Sequence, residues 1–146
     1  LDPSSATLSV GSSIDLKGKL LFFKLFILAA LVIPVSAFAE IKDDDVAKID
    51  ELIKTGKYIV IDVRTKEEYN AGHLAGALNF DYYSDDFEDS IESQFKNKNK
   101  PYIVYCRSGK RSLASAEILE ELGFTNVTNM KGGILAWESA GKPVVK

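Results

Sequence analysis

Tyr58-Ile59-Val60-Ile61-Asp62 and its near-copy Tyr102-Ile103-Val104-Tyr105-Cys106 decide the fold. Each is an unbroken apolar, mostly β-branched run with no polar residue at alternate positions. Such runs belong to strands buried on both faces, the pattern of a parallel sheet covered by helices. Their flanks share nothing, so the pair is not an internal repeat. Asp62 and Cys106 stand at matching places at the two strand ends. In open parallel sheets, ligands sit beyond the carboxyl ends of the strands.

Working outward, Asp43 to Ile53 spaces Val46, Ile49, Leu52 and Ile53 as a helix does, after an Asp-rich start suited to a helix N-terminus, and Gly56 ends it. Thr65 to Ala71 reads as a short helical turn closed by Gly72, Ala77 to Phe80 as a short strand, and Ser84 to Phe95 as an acidic amphipathic helix. After the second long strand, Leu113, Ala116, Leu119 and Leu122 with Ile118 form one apolar helix face, capped by Gly123. Asn126 to Met130 is a last strand, and Gly132-Gly133 opens a final helix through Trp137. Strands alternating with helices at this spacing predict a single α/β domain with a central, mainly parallel sheet flanked by helices.

Residues 1–39 read differently and are excluded from that domain, which takes residues 40–146. Lys17, Lys19 and Lys24 precede the uncharged run Leu25 to Ala39, which ends Ala37-Phe38-Ala39. A basic flank, a short apolar core and small residues at its end predict a signal peptide cleaved before Glu40. The run is shorter than the roughly 20 residues a spanning helix needs, and Pro34 sits inside it. Cleavage is therefore favoured over retention as an anchor, which stays open with Lys24 snorkelling. The Ser-rich segment before Lys17 reads as upstream sequence. The expected location is outside the inner membrane, in the periplasm, with no stable membrane contact after cleavage.

The formal net charge of the whole chain is −3, which disfavours nucleic acid and anionic membrane surfaces as general partners. The cations that matter are local. Cys106, the only cysteine, ends its strand and is followed by Arg107-Ser108-Gly109-Lys110-Arg111-Ser112 at the start of a helix. Unpaired backbone N–H groups, the positive end of the helix dipole and three side-chain cations favour thiolate over thiol. Gly109 permits positive φ, which turns successive N–H groups inward as an anion nest. The site thus offers a nucleophile and a cradle for an anion bound to it. The plainer reading is a buried, inert cysteine with solvated cations nearby; the convergence of cations weighs against it. One cysteine and one histidine cannot supply a metal-ligand set, so no metal is expected.

Three stretches carry a resemblance. Asp62-Val63-Arg64, Glu68-Tyr69, Gly72-His73-Leu74 and Gly76-Ala77-Leu78-Asn79 form the first; Cys106 to Ser112 the second; Gly132-Gly133, Trp137 and Gly141-Lys142-Pro143-Val144 the third. In this order and spacing the chain, from about Val46 to Val145, resembles the rhodanese (thiosulfate sulfurtransferase) family in its small single-domain form. Ala75 stands where that family usually has Pro.

The resemblance implies that Cys106 attacks the outer sulfur of a thiosulfate-like donor and holds it as a persulfide. The N–H groups of Arg107 to Ser112 would stabilise that sulfur, and Arg111, with Arg107 or Lys110, would bind the donor's sulfite end. Cyanide or a thiol would then accept the sulfur, a thiol-redox protein being one candidate partner, with no cofactor. A catalytic role is open to Asp62 and Arg64, but a buried pair that orients the loops is favoured. His73 invites a general-base role, but a tie between two loops is favoured, since sulfur transfer to a thiolate needs no such base. Trp137 reads as core packing.

Two alternatives remain. A sulfur carrier acting only with a partner protein would use the same Cys106. A cysteine phosphatase or arsenate reductase would need Arg six positions after the cysteine, where this chain has Ser112; Arg111, at five, closes a smaller ring suited to a terminal sulfur.

Overall fold

The computed structural model describes residues 41–146; the expectation of a leader over residues 1–39 lies outside them. In chain order the elements are β1 (Lys42–Asp44), α1 (Val46–Lys54), β2 (Ile59–Asp62), α2 (Lys66–Ala71), β3 (Leu78–Asn79), α3 (Phe87–Gln94), β4 (Tyr102–Tyr105), α4 (Lys110–Glu121), β5 (Val127–Met130) and α5 (Gly133–Ser139). The five strands form one sheet in the order β1-β5-β4-β2-β3, every pair parallel. The expected α/β architecture is thus the observed one.

The two apolar runs lie side by side at the centre. Their side chains alternate between two cores. Ile61, Val63, Tyr102, Val104 and Cys106 pack with Phe87, Ile91, Ala116 and Leu119 from α3 and α4. Val60, Ile103 and Tyr105 turn to the other face, against Val46 and Ile49 of α1 and Ile134 and Trp137 of α5. That is why the runs show no polar alternation: both faces are covered.

Register corrects one expectation. Asp62 pairs with Tyr105, so Cys106 lies one residue beyond Asp62 rather than level with it. The chain passes from β2 outward to β3, then returns across β2 to β4 and on to β5 on the other side. The carboxyl ends of β2 and β4 therefore flank the point where strand order reverses, the place where such sheets open a crevice.

Helix starts differ from the expectation where side chains compete for the backbone. Asp43 and Asp44 belong to the edge strand β1, and α1 begins only after Asp45, whose carboxylate accepts from the Lys48 N–H at 2.9 Å. Before α3, Asp81 to Asp86 forms turns, with Phe87 N donating to Ser84 O at 3.1 Å. Asp86, the residue preceding α3, has its carboxylate engaged by the hydroxyls of Ser84 and Ser90 instead of the helix N–H groups. On α4, Ala116 and Leu119 are buried as expected, while Leu113 is 38% exposed and does not join the core.

Candidate active site at the end of the central strand

β4 delivers Cys106 just beyond its carboxyl end with its side chain fully buried. Gly109 then adopts φ +94° and α4 begins at Lys110. Only glycine fits there on two counts: the left-handed φ, and a Cβ that would lie 3.0 Å from Gly132 N and 3.4 Å from Met130 O. The turn aims its donors inward. Gly109 N–H donates to Cys106 Sγ at 3.1 Å, and the Ser112 hydroxyl reaches the same sulfur at 3.4 Å. Because α4 has no side-chain cap, its first-turn N–H groups also remain open toward the sulfur.

Burial pushes the Cys106 thiol up, but the Ser112 hydroxyl and the N–H groups of Ser112, Ser108 and Gly109 outweigh it and leave the pKa below its ordinary value. A buried thiol without those donors would be held neutral and inert. The donors tip the balance toward the thiolate.

The outer side of the loop is fixed by α5. Ile134 N–H donates to Cys106 O at 2.8 Å and Leu135 N–H to Arg107 O at 3.2 Å, so the loop carbonyls turn away from the sulfur and its N–H groups face it. Gly133 makes this approach feasible. A Cβ there would stand 2.4 Å from Cys106 O and 2.5 Å from Arg107 O, with φ at +59°. The expected diglycine opening of the last helix therefore serves the cysteine loop directly.

The six loop residues divide into three groups. Gly109 and Ser112 are buried and line the sulfur. Arg107, Ser108 and Lys110 are exposed at the rim, and neither Arg107 nor Lys110 forms an ion pair among the described residues. Arg111 is different. Its two Nη atoms each meet one carboxylate oxygen of Glu68 at 2.8 Å, a bidentate pair, with the Tyr83 ring 5.4 Å from the guanidinium. Glu68 raises the Arg111 pKa, and the nearby Cys106 adds to that rise. Arg111 in turn holds the Glu68 carboxyl down to about 2.

Glu68 carries no role that the sequence alone assigns. Thr65 and Glu68 form a capping box at the start of α2, a signal that T-x-x-E spacing carries; its reach to Arg111, 43 residues on, had no sequence signal.

Asp62 and Arg64 are brought together as expected, buried at the end of β2. Asp62 accepts from the Arg64 N–H at 2.9 Å, from Nε at 3.0 Å and from Nη2 at 2.6 Å, while Arg64 Nη2 also donates to Gly72 O at 2.7 Å. Burial lowers the Arg64 pKa, and the bonds to Asp62 more than reverse that. His73 ties two segments through its backbone, exchanging 2.8 Å bonds with Val145, and its ring stacks on Tyr69 at 3.7 Å. Trp137 is buried, with Nε1 donating to Pro143 O at 2.9 Å.

Comparison with known proteins gives one consistent family. The model of the rhodanese-like domain matches residues 45–140. The chain is 36% identical over 105 residues to a putative sulfurtransferase, YtwF, of Bacillus subtilis, covering 71% of this chain and 97% of that protein. It is 36% identical over 103 residues to thiosulfate sulfurtransferase 16, chloroplastic, of Arabidopsis thaliana, covering 64% and 83%. Among solved structures, a rhodanese-related protein from Thermoplasma volcanium superposes with a TM-score of 0.58 at 33% identity, covering 71% of this chain and 97% of that one.

Proposed function

Because this chain belongs to the rhodanese-like family, with relatives named as sulfurtransferases, we propose that it moves sulfane sulfur through a persulfide on Cys106. The observation that carries the reading is the sulfur's own surroundings: a buried Sγ that accepts from Gly109 N–H and Ser112 Oγ–H at a helix start. In the first half-reaction the Cys106 thiolate attacks the outer sulfur of a thiosulfate-like donor. A new S–S bond forms, the donor's S–S bond breaks, and sulfite leaves with the electron pair. The terminal persulfide sulfur, now anionic, is received by the loop N–H groups. In the second half-reaction a thiolate or cyanide takes that outer sulfur and Cys106 returns as thiolate. No cofactor enters either step.

The donor's bulky anionic end stays at the rim, where Arg107 and Lys110 supply positive charge and Arg111 supplies directed N–H donors, while its outer sulfur descends to Sγ. The small ring from Cys106 to Arg111 supports sulfur over phosphoryl transfer. Mass spectrometry of the protein before and after thiosulfate tests the reading. One added sulfur atom on Cys106, removed by cyanide as thiocyanate, is the expected result; an unmodified Cys106 overturns it. A carrier that works only with a partner protein would load in the same way but turn over slowly with free cyanide. The Lys-flanked apolar run supports an exported, periplasmic setting. Amino-terminal sequencing from the envelope fraction tests this; a full-length chain in the membrane pellet would overturn it.

A further inference from the structure

The rim of the cysteine loop carries an anion of its own. Glu68 is held at three points: its Oε2 accepts from Thr65 N–H at 3.1 Å and from Arg111 Nη1 at 2.8 Å, and its Oε1 accepts from Arg111 Nη2 at 2.8 Å. The carboxylate is ionised at any neutral pH. It cannot swing aside without uncapping α2. Arg111, the one loop cation fixed in position, therefore presents its remaining N–H edges with its charge already balanced. The exposed Arg107 and Lys110 keep theirs, screened by solvent.

Resting on the sulfur-transfer reading of Cys106, we propose that Glu68 determines donor specificity by charge. It positions Arg111 and sets a repulsion against the donor's anionic end that grows with each negative charge. The site takes singly charged sulfane-sulfur donors, organic persulfides and thiosulfonates, in preference to dianionic thiosulfate. Arg111 still orients the donor through directed hydrogen bonds, but the pair as a unit adds no net attraction for a second negative charge.

Two small donors isolate that charge. Thiosulfate and methanethiosulfonate share the same outer sulfur and differ chiefly in one anionic oxygen replaced by methyl. With methanethiosulfonate, Cys106 thiolate takes the sulfur and methanesulfinate leaves with the electron pair, so the protein product is the same persulfide. The readout is the ratio of kcat/KM for thiosulfate to that for methanethiosulfonate, each followed as cyanide-dependent thiocyanate. Glu68→Gln retains a capping-box side chain and an acceptor for Arg111 while removing the charge. It should raise the ratio about tenfold, chiefly through the thiosulfate KM. Glu68→Asp, which keeps the charge, should leave the ratio within about twofold of the parent. Glu68→Ala gives a second charge-free reading if the Gln variant does not fold. A purely structural Glu68 would lower both donors together and leave the ratio unmoved, and that result overturns the assignment. Loading of the parent by neither donor would instead overturn the role of Cys106 itself, and this inference with it.

Discussion

Two neighbouring strand ends, one residue apart in register, handle polar groups in opposite ways. At the end of β2, Asp62 and Arg64 satisfy each other, Arg64 closes on Gly72 O, and Asn79 Nδ2 caps the carbonyls of Asp62 and Arg64 at 3.1 and 2.8 Å. The Asp62 carboxylate and the Arg64 Nε and Nη2 donors are matched within the protein. At the end of β4, the loop carbonyls are taken by α5 and the N–H groups are left facing one sulfur. The lesson is that burial of charged or polar groups says little by itself; what separates scaffold from site is whether the donors are matched inside the protein or held open.

The most severe way to break this contrast is Cys106→Ser. Thiocyanate formation from any sulfane donor should fall below detection, with the melting temperature nearly unchanged, because a hydroxyl cannot carry a persulfide and the volume change is small. Measurable turnover in that variant would place the chemistry elsewhere.

Next is the closed end. Asp62→Ala leaves the Arg64 guanidinium buried beside Tyr105, 5.6 Å from that ring, with its main partner gone. Urea unfolding should show a loss of about 3–5 kcal/mol, whereas kcat per folded molecule should stay within a few-fold. A large fall in kcat with unchanged stability would move Asp62 from scaffold to chemistry.

A smaller effect tests the rim. Arg111→Ala should lower thiosulfate kcat/KM by about 10²-fold, or roughly 2–3 kcal/mol, since a directed donor is lost and Glu68 is left unbalanced. The Cys106 pKa, from the pH dependence of alkylation by a neutral reagent, should rise by less than about one unit, because the backbone donors remain. The Glu68–Arg111 pair also predicts acid sensitivity. The Glu68 carboxyl is depressed in the folded state, so its stabilisation is complete above its ordinary value of 4.5 and is lost as pH falls toward about 2. Arg111→Ala should flatten the acid limb of stability over that range.

Smallest of all is Ser112→Ala. It removes one of the donors at Sγ, so the alkylation midpoint should rise yet stay below the ordinary thiol value, because the backbone donors remain. A rise to or above that value would mean the hydroxyl, rather than the backbone, governs the thiolate.

Much of this was legible in the sequence, for identifiable reasons. The apolar runs Tyr58–Asp62 and Tyr102–Cys106 gave away two central strands because burial on both faces leaves a continuous pattern. Gly109 and the diglycine pair marked tight backbone because glycine occupies positions no side chain can. β1 escaped notice. It is a three-residue, largely exposed edge strand whose pairing with β5 is carried by backbone, which every residue has. The division of labour among the loop cations was also hidden. Arg107, Lys110 and Arg111 look alike in sequence, and only the fold brings Glu68 across to single out Arg111. The exposure of Leu113 was missed because helical spacing sets a face but not how far the neighbouring layer extends over it.

The seal that α5 places on the loop sets a timetable for the protein. Cys106 leaves the ribosome well before Ile134 and Leu135, whose N–H groups hold the Cys106 and Arg107 carbonyls outward. Until those residues arrive, nothing pins the loop with its donors facing the sulfur, and the thiol keeps an ordinary reactivity. A nascent chain therefore carries a quiet cysteine, and its nucleophilicity appears only when the domain closes.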